Sequence, residues 1–223
     1  MTLLGLDTST TACAVCVLRA DGEAFETAPD AAALGAPPAH AAELMPAIAD
    51  VMGRAAVGWS DLAAIAVGVG PGTFTGLRIG IATARGLGHA AALPLRPVSS
   101  LAALAAGIGG DGPRLPLIDA RRGELFAALH EGGSTVWPPF AATPEDVAAR
   151  VRAAEIAPLA AGDGSIRFRG VLEPAGIRVA PDSDPAHVVR ALTVCKLAAA
   201  VPDTEPDAVL PEYIRPPDAK LPR

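Results

Sequence analysis

Apolar and polar positions change rhythm several times along the chain. Residues 3–7 and 12–18 are short apolar runs that read as strands, joined by Thr8-Ser9-Thr10-Thr11. Asp21-Gly22 is a turn signal, and residues 24–27 follow as a third strand. From His40 to Val57 the apolar residues Leu44, Met45, Ile48, Val51 and Met52 keep helical spacing. Pro46 falls inside that pattern and predicts a kink or a late start. Residues 62–69 form a continuous apolar run, the mark of a buried strand. A loop with Gly70, Gly72 and Gly76 comes next, then a small-residue helix over 77–92. Pro94 and Pro97 end that unit, and Ser99 or Ser100 can cap a short helix over 101–106.

The glycine-rich stretch 107–113 reads as a linker, after which the pattern restarts. Strands are expected at 115–118, 124–130 and 156–161. A helix is expected from the Thr143-Pro144-Glu145-Asp146 start to about 154. Gly162-Asp163-Gly164 reads as a tight loop, and Asp184-Pro185 opens a last helix to about 200. Residues 202–223 are proline-rich and are expected to lie along the surface. The order predicts an α/β protein of two lobes, 1–106 and 107–223, the second carrying the tail. No short-period repeat is visible. The halves share only a coarse feature: each opens on a strand, an Asp and a small polar or basic loop.

The 223 residues are 51% hydrophobic but only 4% aromatic, so the core must be aliphatic and rich in alanine. The net charge is −6, spread evenly along the chain without a basic block. That argues against a stand-alone nucleic-acid binder. Cys13 and Cys16 are spaced as C-x-x-C but lie in a strand pattern, where they point to opposite faces; with Cys195 they form no disulfide framework. The first residues enter a strand pattern directly and no run reads as a membrane span, so a cytoplasmic protein is expected.

The stretch with the most chemical content is Gly70-Pro71-Gly72-Thr73-Phe74-Thr75-Gly76-Leu77-Arg78. A strand that turns into a helix leaves free N–H groups at the helix start, which favour an anion. Yet no G-x-x-x-x-G-K-[ST] is present and the glycines miss dinucleotide-binding spacing, so a structural turn is the stronger reading of the residues alone. Asp7-Thr8-Ser9-Thr10 could hold a metal-bound water and cradle phosphate, or simply make a turn. On the helix after the loop, Arg78, Arg85 and His89 share one stripe, while Gly80, Ala84 and Gly88 make a groove that admits another helix, from a partner or from the chain itself; the modest domain size favours a partner. Asp119-Ala120-Arg121-Arg122-Gly123-Glu124 reads as a hairpin with local ion pairs. His40, His89, His130 and His187 stand at no metal-ligand spacing, and no G-x-S-x-G occurs, so a peptidase is not expected.

Three segments together, residues 3–10, 67–80 and 119–124, resemble the bacterial TsaB (YeaZ) family, as does the tail stretch Tyr213-Ile214-Arg215-Pro216-Pro217. The resemblance implies an actin-like, Hsp70-like ATPase (ASKHA) fold, two lobes with mixed sheets and flanking helices. It implies a non-catalytic relative of the transferase TsaD, joined to it as a heterodimer and further to the ATPase TsaE. That complex threonylcarbamoylates N6 of the adenosine beside the anticodon in ANN-decoding tRNAs. ATP and metal are then expected on the partner subunits, with no cofactor required here and no catalytic residue carried over. Asp7 to Thr10 would be a degenerate phosphate loop, and Gly70 to Arg78 the loop that launches an interface helix. The partner surface, which also makes a homodimer of the isolated subunit, would involve Leu44, Ile48, Met52, Leu77, Gly80, Ile81, Ala84, Leu87 and Gly88. The rival expectation is an ATP-dependent small-molecule kinase or acyltransferase on the same fold. That would need a second phosphate loop, for which Gly162-Asp163-Gly164 is the candidate.

Overall fold

A computed structural model describes residues 1–27 and 29–215. Its two five-stranded sheets repeat one topology. In the first, β1 (Leu3–Asp7) pairs antiparallel with β2 (Ala14–Leu18), and β2 with β3 (Ala24–Glu26). On its other side β1 runs parallel to β4 (Ala64–Gly70), which runs parallel to β5 (Leu95–Ser99). In the second, β6 (Arg114–Arg121), β7 (Glu124–Glu131) and β8 (Ser134–Ala142) form the antiparallel meander. There β9 (Leu159–Ala161) and β10 (Arg178–Val179) add in parallel on the far side of β6. Both sheets therefore read third-second-first-fourth-fifth strand. Asp7 ends the first strand of one sheet, and Asp119 stands two residues before the end of its equivalent in the other.

The helices layer around these sheets. α1 (His40–Ala55) and α2 (Phe74–Ala91) cover the outer face of the first sheet, with Leu44, Ile48, Val51 and Ile81 packed on Leu4, Leu6, Ile65 and Val67. α4 (Pro144–Ala153) and the short α6 (Arg169–Leu172) cover the outer face of the second, and α5 (Asp163–Arg167) follows β9. Between the sheets lie α3 (Ser100–Gly107) and α7 (Ala191–Ala198). There Leu101, Leu104, Val194 and Cys195 join Leu3, Ala66, Ile118 and Phe126 in one core. Gly5 lets α7 close on β1, because a Cβ there would lie 2.4 Å from Cys195 Sγ and 2.9 Å from the Ala191 carbonyl. Cys16 and Cys195 are buried core residues and Cys13 is half-buried.

Several expectations need correction. α2 begins at Phe74, three residues before the pattern suggested, and α1 runs through Pro46 from His40. Asp163 opens a helix instead of sitting in a loop, and the last helix starts at Ala191 after a 3-10 turn at Pro185–His187. β5, β8 and β10 have no counterpart in the sequence pattern; all three are edge strands, and β5 and β8 contain prolines, which edges accommodate readily. The division at 107 also changes. After β10 the chain returns to the first lobe: α7 packs on β1 and β2, and Thr204 pairs with Leu95 on the free edge of β5. Val209, 2% exposed, joins the first lobe's outer core, and Glu212 N–H donates to the Val69 carbonyl at 2.7 Å. The part of the tail over 202–215 is thus a strap built into the first lobe; 216–223, with Pro216 and Pro217, lie outside the described residues. Among the described residues no helix is long and apolar enough to cross a membrane.

Candidate functional site

The equivalent first strands of the two sheets lead into polar loops at Asp7 and Asp119, so the site is built from these two residues. Asp7 Oδ1 accepts from Ser9 N–H at 2.9 Å and from Ser9 Oγ at 2.6 Å, and Oδ2 accepts from Ser100 Oγ at 2.7 Å. Ser100 Oγ in turn accepts from Gly70 N–H. A Cβ on Gly68 would sit 1.8 Å from Asp7 Oδ2, so β4 passes this carboxyl only as glycine. Burial pushes the Asp7 carboxyl above the usual carboxylate range, against the lowering by its hydroxyl and amide donors.

The loop after Asp7 is packed shut by α2. Thr8 Oγ1 donates to the Gly76 carbonyl at 2.8 Å, and Thr73 N–H to the Ser9 carbonyl at 2.7 Å. Added Cβ atoms at Gly72, Gly76 and Gly80 would lie 2.4 Å from Ser9 O, 2.0 Å from Thr8 O and 2.3 Å from Thr8 Oγ1. Asp7, Thr8, Ser9 and Thr10 are each at most 2% exposed. The glycine motif therefore serves close packing of a helix on a loop. The nucleotide that the fold implies does not fit the first loop, whose hydroxyls of Thr8 and Ser9 already bond within the chain and whose surface is covered.

The second loop is committed in a different way. Asp119 Oδ2 accepts from Arg167 Nη1 at 2.6 Å and Arg121 Nη1 at 3.2 Å, while Oδ1 accepts from Arg121 N–H. Arg121 and Arg122 hold φ of 63° and 54° before Gly123, a left-handed run at the β6–β7 turn. Asp163 Oδ1 accepts from the N–H groups of Asp119 and Gly164, and burial pushes its carboxyl up. His187 Nδ1 accepts from Gly162 N–H at 3.0 Å, and Gly162 itself abuts the Leu117 carbonyl. Gly162-Asp163-Gly164 is thus a strand-to-helix junction held by Asp119 and His187. Arg167, Ser100 and His187 complete the two loops; the sequence marks Ser100 only as a possible helix cap, His187 only as an isolated histidine and Arg167 not at all, and the paired strand-Asp pattern is the one visible hint.

A cavity of about 710 Å³ lies beside this pair, lined by Asp119, Arg121, Asp163 and Arg167 and by the 3-10 turn Ala31–Gly35. On the other side of Arg121 a groove of about 680 Å³ carries Phe74 and Tyr213, stacked at 5.8 Å with the Arg78 guanidinium 3.7 Å over the Phe74 ring. Thr75 and Pro71 flank the same turn, Thr75 exposed and Pro71 buried.

The small-residue groove of α2 is filled from within the chain. Gly80 faces Thr8 and Leu6, and Gly88 faces Leu93, Leu95 and Pro206. Leu44, Ile48, Met52, Leu77, Gly80, Ile81, Ala84 and Gly88 are all buried, and Leu87 is half-buried against the same core. These residues hold the lobe together and are not a surface. A sequence pattern shows that a face is covered without saying by what. The polar stripe likewise meets the strap: Arg85 and His89 bond Asp207, and Arg78 Nε donates to Tyr213 Oη.

Asp7→Asn is expected to leave the protein as stable at pH 7, or more stable by about 1 kcal/mol, because an amide keeps acceptors for Ser9 without a buried charge. The folded carboxyl titrates above its unfolded value of about 3.9, so wild-type stability falls as pH rises between those two values. Denaturant titrations at pH 4 and pH 7 should therefore favour the variant more at pH 7. A variant clearly weaker at pH 7 would show that the ionised carboxylate is net stabilising.

Residues 35–161 match the family model for TsaD, tRNA N6-adenosine threonylcarbamoyltransferase. The chain is 32% identical to an uncharacterized protein of Mycobacterium leprae over 98% of its own length and 56% of that protein. To the tRNA threonylcarbamoyladenosine biosynthesis protein TsaB of Escherichia coli it is 37% identical, over 59% of this chain and 55% of the relative. It thus spans about half the length of these two curated relatives. The solved structure of YeaZ from Pseudomonas aeruginosa superposes with a TM-score of 0.75 at 30% identity, covering 95% of this chain and 99% of that one. A duplicated mixed-sheet topology of the actin-like, Hsp70-like type and these matches place the chain in the TsaB (YeaZ) family.

Proposed function

We propose that this chain is a non-catalytic, activating subunit in N6-threonylcarbamoylation of the adenosine beside the anticodon of ANN-decoding tRNAs. It pairs with a TsaD-type transferase and works with a TsaE-type ATPase in the cytoplasm. The observation that carries this reading is the closure of the first phosphate loop by α2, with Asp7 buried on Ser9 and Ser100. A chain of this family that has spent those groups on packing contributes surface more readily than phosphate chemistry. The kinase or acyltransferase reading would require the same loop to open by separating α2 from Thr8.

A partner reaching α1 and α2 meets their outward residues. These include the exposed Met45, Ala82 and Gly86 and the half-buried Ile79 and Thr83, with the charged Glu43, Asp50 and Arg78 exposed on the same two helices. In isolation the same face pairs two copies of the chain.

The test is reconstitution. Purified chain, a TsaD-type and a TsaE-type partner, tRNA and the threonylcarbamoyl-adenylate donor are combined, and threonylcarbamoyladenosine in tRNA hydrolysates is measured by mass spectrometry. Product is expected to fall at least about 100-fold when this chain is left out, the scale of loss when an active site is not assembled. Unchanged product without it, or steady ATP turnover by the chain alone, would overturn the reading.

A further inference from the structure

The groove of about 680 Å³ is lined from three parts of the chain: residues 72–75 and Arg78, the strap at 212–215, and 119–122 with Phe126 of the second lobe. Two rings stand open at it, Phe74 at 53% exposure and Tyr213 at 46%. Phe74 is the one exposed phenylalanine of five, and Tyr213 is the chain's single tyrosine. Apolar rings that folding can cover are normally covered, so an exposed pair side by side is the informative departure.

An arginine organises the pair. The Arg78 guanidinium lies 3.7 Å over the Phe74 ring, and its Nε donates to Tyr213 Oη at 3.2 Å. The two rings are 5.8 Å apart and 25° from parallel. One helix and the strap thus supply a single stack of two rings and a cation. Arg78 makes no ion pair among the described residues, and its Nη groups have no partner there.

The other charges of the groove largely cancel. Arg121 is paired with Asp119, and Arg215 with Glu124. Burial pushes the Glu212 carboxyl up, towards its neutral form. Arg78 is left as a cation without a counter-charge beside open rings, in a chain of net charge −6.

We propose that this groove takes an unpaired nucleotide of an RNA strand, its base stacked on the Phe74–Tyr213 pair and a neighbouring phosphate on Arg78. Every base has a π-face that stacks on aromatic rings and guanidinium planes, and only an unpaired base can offer it. An acidic peptide would satisfy Arg78 but leave the rings idle. An apolar peptide would cover the rings and strand the Arg78 charge away from water. A nucleotide uses both. The inference deepens the proposed function and rests on it for the identity of the RNA, a tRNA loop; it adds that this subunit touches that loop. The net charge of −6 makes the groove a weak site by itself, one contact on an RNA held by the whole complex.

The test is titration of the isolated ¹⁵N-labelled chain with a tRNA anticodon stem-loop at low salt. A fully paired RNA hairpin of equal length and polyglutamate are the second and third arms. Saturable amide shifts are expected at Phe74, Thr75, Ala120 and Tyr213 with the stem-loop, at least about fivefold tighter than with the hairpin. Phe74→Leu should weaken stem-loop binding about tenfold. Arg78→Gln should lower the slope of log affinity against log salt by about 0.7. Both side chains are exposed, so both variants keep the fold. Arg19→Gln makes the same charge change at the far end of the β1–β2 pair and should alter neither quantity. Equal affinity for polyglutamate would make the groove an acidic-peptide site, and equal affinity for the hairpin would leave only attraction of charge. Either result overturns the proposal, as does unchanged affinity in Phe74→Leu or no saturable shift up to about 1 mM RNA.

The reconstituted reaction separates this inference from the reading it rests on. There Phe74→Leu should raise the tRNA KM about tenfold and leave kcat alone. If KM does not move while product still requires the chain, the groove fails and the proposed function stands. If the stem-loop and variant results hold but the reaction runs without the chain, the proposed function fails and the groove stands as an RNA site.

Discussion

Gly76→Ala is expected to destabilise the protein by about 3 kcal/mol or more, although alanine is the better helix former by about 1 kcal/mol. The reason is distance. A Cβ at position 76 would lie 2.0 Å from the Thr8 carbonyl and 2.6 Å from Thr73 Oγ1, where real contacts do not fall below about 3 Å. Thr8 O belongs to a loop that is itself pinned to β1 through Asp7, so it has no rotamer by which to retreat. Relief requires α2 to lift by about 1 Å. That stretches Thr8 Oγ1 to Gly76 O and Thr73 N to Ser9 O, and opens the packing of Leu77 and Ile81. Gly86→Ala on the same helix is the control: it is exposed, nothing lies within 4 Å of its added Cβ, and it should gain about 0.5–1 kcal/mol. Denaturant midpoints of the pair decide the matter. Equal gains at both positions would mean that α2 does not approach the first loop as closely as described.

That contrast also marks where sequence reading works and where it stops. The buried strands β1, β2 and β4 are almost wholly apolar, and β6 and β7 hold apolar runs at 115–118 and 125–129; a run of that kind has few other fates. β5, β8 and β10 lie at sheet edges, where half the backbone donors need no partner. Pro97, Pro138 and Pro139 are tolerated there, so the usual strand breakers mislead. Glycine spacing carried a similar ambiguity. Gly72, Gly76 and Gly80 permit a close approach, but the same absence of Cβ suits a phosphate, a partner helix or the chain's own loop. Only the position of Thr8 and Ser9 decides among them. The duplicated topology was nearly invisible because equivalent side chains differ, leaving Asp7 and Asp119 as its trace. Arg167 and His187 reach the second loop across 48 and 25 residues of chain, a juxtaposition that no local pattern encodes.

The strap over 202–215 leads to the second large effect. Val209→Asp should cost about 2–4 kcal/mol, from lost apolar burial and from a carboxylate placed where the side chain is 2% exposed. The loss has a ceiling. The strap is held by the Leu95–Thr204 pair, by Glu212 N on Val69 O, by Pro206 against Gly88 and by Asp207 on Arg85 and His89. Once their joint contribution is exceeded, the segment detaches and the rest of the lobe stays folded. Exposed pairs such as Arg85–Asp207 add little to that sum, so the apolar seat of Val209 and the backbone bonds dominate it. Detachment frees the edge of β5 and uncovers Leu95, which a protein normally avoids. Hydrogen exchange reads this directly. In the variant the amides of Leu95, Thr204 and Glu212 should lose protection together, while those of β1 and β4 keep theirs. If all of these amides accelerated equally, the strap would be a part of the global folding unit. If none did, residues 202–215 would lie on the surface, as the proline content alone suggested.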